Sequence, residues 1–143
     1  MRTRKTAYPA SSLIKITAAG KVDLAGTRAA LRNLADHPDF KAGWQVLFDW
    51  RKIRCEMSLT DVYEISKLLS DPDTALPSRE ALAVLVSGGC ALDRAKFLEL
   101  CAANRGVKVA AFDDYTQVNE WLATAAQRSQ QRAQPLESDR GPT

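Results

Sequence analysis

Apolar and polar residues follow two rhythms along this chain, one of strands and one of helices, and the two alternate from residue 12 to about residue 126. Residues 12–18, Ser-Leu-Ile-Lys-Ile-Thr-Ala, carry β-branched side chains in loose alternation and run into Gly20, which predicts a strand. Asp23 follows as a helix N-cap. Leu24, Leu31, Leu34 and Ala35 then recur at the spacing of one helix face, up to Pro38, which ends the helix. Gln45-Val-Leu-Phe-Asp-Trp-Arg51 is a nearly continuous apolar run, the pattern of a central strand covered on both sides. Ser58, with Asp61 three residues on, forms a capping box for a helix whose stripe is Val62, Ile65, Leu68 and Leu69. A Pro/Asp-rich loop over 71–78 leads to Ala81-Leu-Ala-Val-Leu-Val-Ser87, a second buried strand, and Gly88-Gly89 makes a turn. A helix over 91–104 carries Leu92, Ala95, Leu98 and Cys101 and closes on Gly106. Residues 107–112 are the last strand. Asp114, with Gln117, caps a final helix bearing Tyr115, Val118, Trp121, Leu122 and Ala125.

Both ends lack either rhythm. Residues 1–10 read as a flexible arm, with at most a short edge strand over residues 6–8 before Pro9. Residues 127–143 have a Gln/Arg/Ser/Pro composition that buries too little surface to fold and read as a disordered tail. Between them, residues 11–126 alternate strand and helix with short connections. That order predicts a single α/β domain, a mostly parallel sheet of four to five strands flanked by about four helices through right-handed crossovers.

Composition narrows the function classes. No apolar run approaches the roughly 20 residues of a membrane span, and the basic start, Met1-Arg-Thr-Arg-Lys5, is not followed by an apolar h-region. A cytoplasmic protein is the expectation. Cys55, Cys90 and Cys101 are irregularly spaced and His37 is the only histidine, so neither a zinc site nor a disulfide framework is expected, and no cofactor is implied. The net charge is +3, but residues 11–126 hold 14 Lys/Arg against 15 Asp/Glu. The excess falls on Arg2, Arg4 and Lys5 and on residues 127–143. A fold without a basic footprint argues against nucleic acid.

The opening strand into Gly20-Lys-Val-Asp-Leu24, the stretch His37-Pro-Asp-Phe-Lys-Ala-Gly-Trp-Gln-Val-Leu-Phe-Asp-Trp-Arg51, and the closing Val109-Ala-Ala-Phe-Asp-Asp-Tyr115 with Glu120-Trp-Leu122 together resemble the SpoIIAA-like family. These are small bacterial proteins grouped with the STAS and Sec14-type folds. The resemblance runs from Ile14 to Leu122, and its motifs specify a fold rather than a reaction. It implies a regulatory interaction module, some of the wider STAS group being switched by phosphorylation of a serine where the second helix begins. Ser58 is the nearest position here. The surrounding Glu56-Met-Ser-Leu-Thr60 departs from the Asp-Ser-Ser-Gly stretch of the phosphorylated proteins, so the kinase partnership does not carry over with the fold.

The individual candidates each have two readings. Ser58 is fully explained as an N-cap, yet a phosphate there would also be favoured by the helix dipole; with Thr60 and Tyr63 it marks a surface for a protein partner. Gly88, Gly89 and Cys90, at a strand-to-helix junction, offer backbone N–H groups to an anion and a dipole to a thiolate, or are simply a tight turn with a small cysteine. Asp49 and Arg51, with Lys52 and Arg54, lie at the carboxyl end of a central strand, where ligands bind in open α/β sheets; alternatively Asp49 and Arg51 pair with each other. His37 suits a helix end and has no partner for triad chemistry. Trp44, Trp50 and Trp121, with Phe48 and Phe97, read as core, with little volume left for an apolar ligand. The resemblance, together with the missing acid, base, nucleophile and metal constellation, implies a non-enzymatic module for a protein partner, a homodimer included. The alternative is a binder of an apolar or anionic small molecule at the strand-end crevice.

Overall fold

The computed structural model describes residues 2–35, 44–71 and 82–133. Among them the chain builds a five-stranded sheet and four α-helices: β1 Arg2–Tyr8, β2 Leu13–Val22, α1 Leu24–Ala35, β3 Gln45–Cys55, α2 Leu59–Ser70, β4 Leu82–Leu85, α3 Gly89–Ala103, β5 Val109–Phe112 and α4 Tyr115–Ala133. The strands lie in the order β1-β2-β3-β4-β5. β1 runs antiparallel to β2, and every other neighbouring pair is parallel. The single α/β domain and mostly parallel sheet expected from the alternation are what the chain forms. Pro38 and residues 36–43 and 72–81, where the sequence predicts connections, lie outside the described residues.

The strand order explains the layering. Each parallel crossover moves the chain one strand in the same direction, and right-handed crossovers of that kind put all their helices on one face. α1, α2 and α3 therefore share a face, packing on Ile14, Ile16, Val46, Phe48, Trp50, Leu82 and Val84 in the main core. α4 follows the last strand and lies on the opposite face, where Val118 and Leu122 bury Leu47, Ala83 and Leu85. Gln45 Nε2 donates to the Leu122 carbonyl at 2.6 Å and ties α4 to β3. Among the described residues α4 is the one α-helix on this face, resting on Leu47 of β3, Ala83 and Leu85 of β4 and Phe112 of β5.

Both ends of the chain depart from expectation. Residues 2–8 are no flexible arm: all seven form β1, paired residue by residue with β2 from Arg2 opposite Ala19 to Tyr8 opposite Leu13. Side-chain pattern gave no signal because backbone pairing, not burial, orders this strand; most of its side chains are exposed. The reversal from β1 to β2 uses a short 3-10 turn over Pro9–Ser11 and a left-handed Ser12. At the other end the helix continues past Gln127 to Ala133, so the first residues assigned to the disordered tail are helical; residues 134–143 lie outside the described residues.

The two sheet edges are protected differently. On β5 the Ala111 N–H donates to Glu99 Oε2 of α3 at 2.9 Å. On β1 the guard is a row of cations, Arg2, Arg4 and Lys5, of the kind that keeps edge strands from pairing with other chains. α3 ends as expected on Gly106, whose φ of +76° lets Val107 N–H reach the Ala102 carbonyl and Gly106 N–H the Ala103 carbonyl, the Schellman arrangement.

Candidate functional site

The pairing of β2 with β3 slips between Thr17 and Ala19. Thr17 faces Asp49, but Ala19 faces Lys52, so β3 holds one residue more than β2 over this interval. Such a bulge re-aims side chains. Trp50 and Ile53 both line the apolar space under α1–α3, whereas Arg51 and Lys52 both line a groove on the other face. Two consecutive cations thus emerge on one side of the sheet, which a regular strand would forbid.

That groove has a volume of about 600 Å³ and is walled by Arg2 and Arg4 of β1, floored by Thr17 of β2, and closed by Asp49, Arg51 and Lys52 of β3. Asp49 is its fixed point. The residue is only 7% exposed, and its carboxylate accepts from Arg51 Nε at 2.8 Å and Arg51 Nη2 at 2.7 Å, with Lys15 Nζ at 3.6 Å. The structure thus forms the Asp49–Arg51 pair, in bidentate geometry. Tyr115, at the start of α4, completes the cluster with Arg51 Cζ at 5.3 Å and Lys15 Nζ at 5.6 Å from its ring centre. Named in the sequence beside Val118, Trp121, Leu122 and Ala125 on the last helix, Tyr115 is 41% exposed. Its helical spacing to Val118 hid this, because position 115 opens the helix beyond the end of the minor core.

The Arg51 hydrogen bonds hold the Asp49 carboxyl below its ordinary value of 3.8, outweighing the burial that pushes it up; Arg51 is correspondingly raised. A carboxylate depressed on folding stabilises the native state above its unfolded pKa, and that contribution is lost as pH falls through the folded value. Asp49→Asn should therefore be less stable than wild type at pH 7, with the gap closing as the pH is lowered below about 4. Urea unfolding at a series of pH values checks this; a gap that widens on acidification would contradict the assignment.

The start of α2 carries the other candidates. Ser58 and Asp61 form the capping box: Asp61 N–H donates to Ser58 Oγ, and Ser58 N–H to Asp61 Oδ2, both at 3.1 Å. Ser58→Ala should cost about 1 kcal/mol in chemical denaturation. An exposed serine with no structural task would instead leave stability unchanged. Thr60 is exposed, and Leu59 and Tyr63, one turn apart, are 48% and 43% exposed. Tyr63 is held in place: Arg105 Nη2 donates to its hydroxyl at 3.2 Å, and Arg105 Cζ and Lys67 Nζ lie 5.4 and 5.5 Å from its ring centre.

The strand-end candidates separate. Gly88 caps α3 and Gly89 and Cys90 begin it, but α3 packs on the α1–α3 face, and none of the three lines the groove that holds Asp49 and Arg51. Cys90 is exposed, not the small buried residue that the turn reading supposed. His37 lies outside the described residues. Phe48 and Trp50 are buried and stack edge to face at 5.5 Å, while Trp44, Phe97 and Trp121 are half-buried. The apolar cavity beside Trp50 measures about 50 Å³, well below the roughly 300 Å³ of a small-molecule pocket. Trp50 Nε1 is buried there without a hydrogen-bond partner among the described residues. Among those residues no three His, Cys, Asp or Glu side chains are grouped to hold a metal, and no helix is long and apolar enough to cross a membrane.

No family model and no curated protein matches the sequence. Among solved structures, the chain is similar to an uncharacterised protein of the DUF3478 family from Shewanella loihica PV-4, described as having a SpoIIAA-like fold. The likeness covers 85% of this chain and 92% of that one, at a TM-score of 0.53 and 14% identity. The fold is SpoIIAA-like. At such identity the likeness concerns the path of the backbone, and residue roles come from this chain's own geometry. The SpoIIAA-like frame accounts for the five strands and the helix layer. The bulge, the basic groove and the clamped Tyr63 are read from the side chains laid upon it.

Proposed function

We infer that this chain is a non-enzymatic interaction module, regulatory in role and working in the cytoplasm, that engages a protein partner through the exposed start of α2. The observation that carries this reading is the pair Leu59 and Tyr63, left half-exposed on one helix face, with Tyr63 fixed by Arg105 and Lys67. Side chains at i and i+4 form a single contact surface. Tyrosine flanked by arginine is the type of group that anchors interfaces, and holding it in place before contact lowers the ordering cost of binding. Ser58 borders this surface. A phosphate there would add about two negative charges beside Tyr63 and its cations, which gives the module a means of control.

A photo-reactive amino acid at position 60, expressed in the native host, tests the reading. The expected result is a cross-linked adduct of defined mass that disappears in Leu59→Ser/Tyr63→Ser. An adduct of twice the chain mass would make the partner a second copy. Absence of any adduct, or one indifferent to both substitutions, would refute the surface. Intact-mass analysis of the same protein would show a phosphorylated fraction, absent in Ser58→Ala, if the serine is the switch.

A further inference from the structure

The three N-terminal cations counted against a basic footprint do not hang in a tail. Arg2 and Arg4 stand on β1, and because each pairs directly with Ala19 and Thr17, their side chains share a face with those residues. Thr17 pairs with Asp49 and so belongs to that face too. The bulge brings Arg51 and Lys52 to the same side. The groove is therefore lined by four cations against one carboxylate, and that carboxylate is saturated by Arg51 and Lys15.

We propose that this groove binds a small soluble polyanion carrying phosphate groups at two or more positions. Arg2, Arg4 and Lys52 have no carboxylate within ion-pair distance among the described residues, and Arg51 spends only Nε and Nη2 on Asp49, leaving Nη1 for a ligand. Asp49 acts here as a positioning residue: it sets the guanidinium plane before the anion arrives, as preorganised binding requires. The Thr17 hydroxyl, 3.4 Å from the Arg4 carbonyl, lies on the floor between the two walls. β1 and β3 are two strand spacings apart, roughly 10 Å, so an anion that engages both walls has charge at both ends. The volume of about 600 Å³ lies within the range of small-ligand sites. The site is independent of the α2 surface, and either stands if the other fails.

Tripolyphosphate is a suitable probe, titrated into the full-length chain by calorimetry at low ionic strength. The expected result is saturable one-to-one binding that Arg4→Ser/Lys52→Ser weakens about tenfold or more, the size of one lost charge-assisted contact. A charge-matched control, Arg32→Ser/Lys108→Ser, on exposed positions away from the groove, should change affinity less than about twofold, since only diffuse attraction is removed. Both double variants replace exposed side chains, so thermal unfolding should stay close to wild type and keep the comparison clean. No binding at millimolar tripolyphosphate, or equal losses in the two double variants, would overturn the proposal. Sedimentation with phosphatidylserine vesicles separates the other source of phosphate. Vesicle binding that depends on Arg4 and Lys52, without binding of free tripolyphosphate, would overturn a soluble ligand in favour of a lipid headgroup.

Discussion

Leu85→Ala should lower the unfolding free energy by about 2–5 kcal/mol, the largest effect expected of any single truncation in the minor core. Leu85 is fully buried in β4, under α4, in a cluster whose other buried members are Leu47, Ala83, Val118 and Leu122. Two of these are the whole buried contribution of α4 to that cluster, so the cavity left by Leu85 has few side chains able to collapse into it. Urea unfolding should show a lower midpoint at unchanged slope. Hydrogen exchange should quicken in α4 before it does in α1–α3, which belong to the main core. The matched control is Leu59→Ala: nearly half its surface is already in water, and the change should stay within about 0.5 kcal/mol. A loss below about 1 kcal/mol at Leu85 would mean that α4 is not held by this cluster.

The consequence reaches the groove. Tyr115 stands at the first turn of α4, against Lys15 and Arg51, so whatever loosens α4 also frees one side of the Asp49 cluster. Gln45, buried and bonded to the Leu122 carbonyl, is the polar part of the same attachment. A small apolar cluster, one buried amide and a cation–π contact at the helix start together place the α4 end of the site.

How much of this is legible in the sequence depends on what kind of signal each residue carries. The capping box of Ser58 and Asp61 and the Gly106 ending of α3 are local: the residues that make them lie within a turn of one another, and the structure forms both. The stripes of α1 and α2 are equally local, since a helix buries what its period puts on one side. β1 is legible only as a short edge strand over residues 6–8, because Arg-Thr-Arg-Lys has no apolar period at all; the order of residues 2–5 comes from a neighbour contributed by later residues. The bulge in β3 was hidden for the opposite reason. Gln45 to Trp50 is buried on both faces, and a strand buried on both faces carries no alternation from which a slipped register could be read. The sequence groups Arg51 and Lys52 with Asp49 at a strand end but gives no sign that both share its face, and with residues 2–5 read as an arm, Arg2 and Arg4 fall outside the domain. The groove needs both features, so no reading of single segments would find it.

Gly88→Ala should cost about 1–3 kcal/mol, and for a reason that contacts alone would not reveal. A Cβ placed on Gly88 meets nothing within 4 Å, so there is no neighbour to displace. The cost lies in the backbone: Gly88 sits at φ +102°, ψ −167°, a region essentially reserved for glycine. The conformation is forced by the turn from β4 into α3, where the Gly88 carbonyl accepts from Leu92 N–H as the first bond of the helix. At Gly89 φ is +62°, the left-handed region that other residues enter for about 1–2 kcal/mol, so Gly89→Ala should be the milder change. A D-alanine introduced at position 88 by peptide ligation tests the backbone cause, because it adds a methyl group while favouring positive φ. Near-native stability with D-alanine, beside a clear loss with L-alanine, would show that the glycine is held for its backbone angles. Equal losses with both would contradict an origin in the backbone angles.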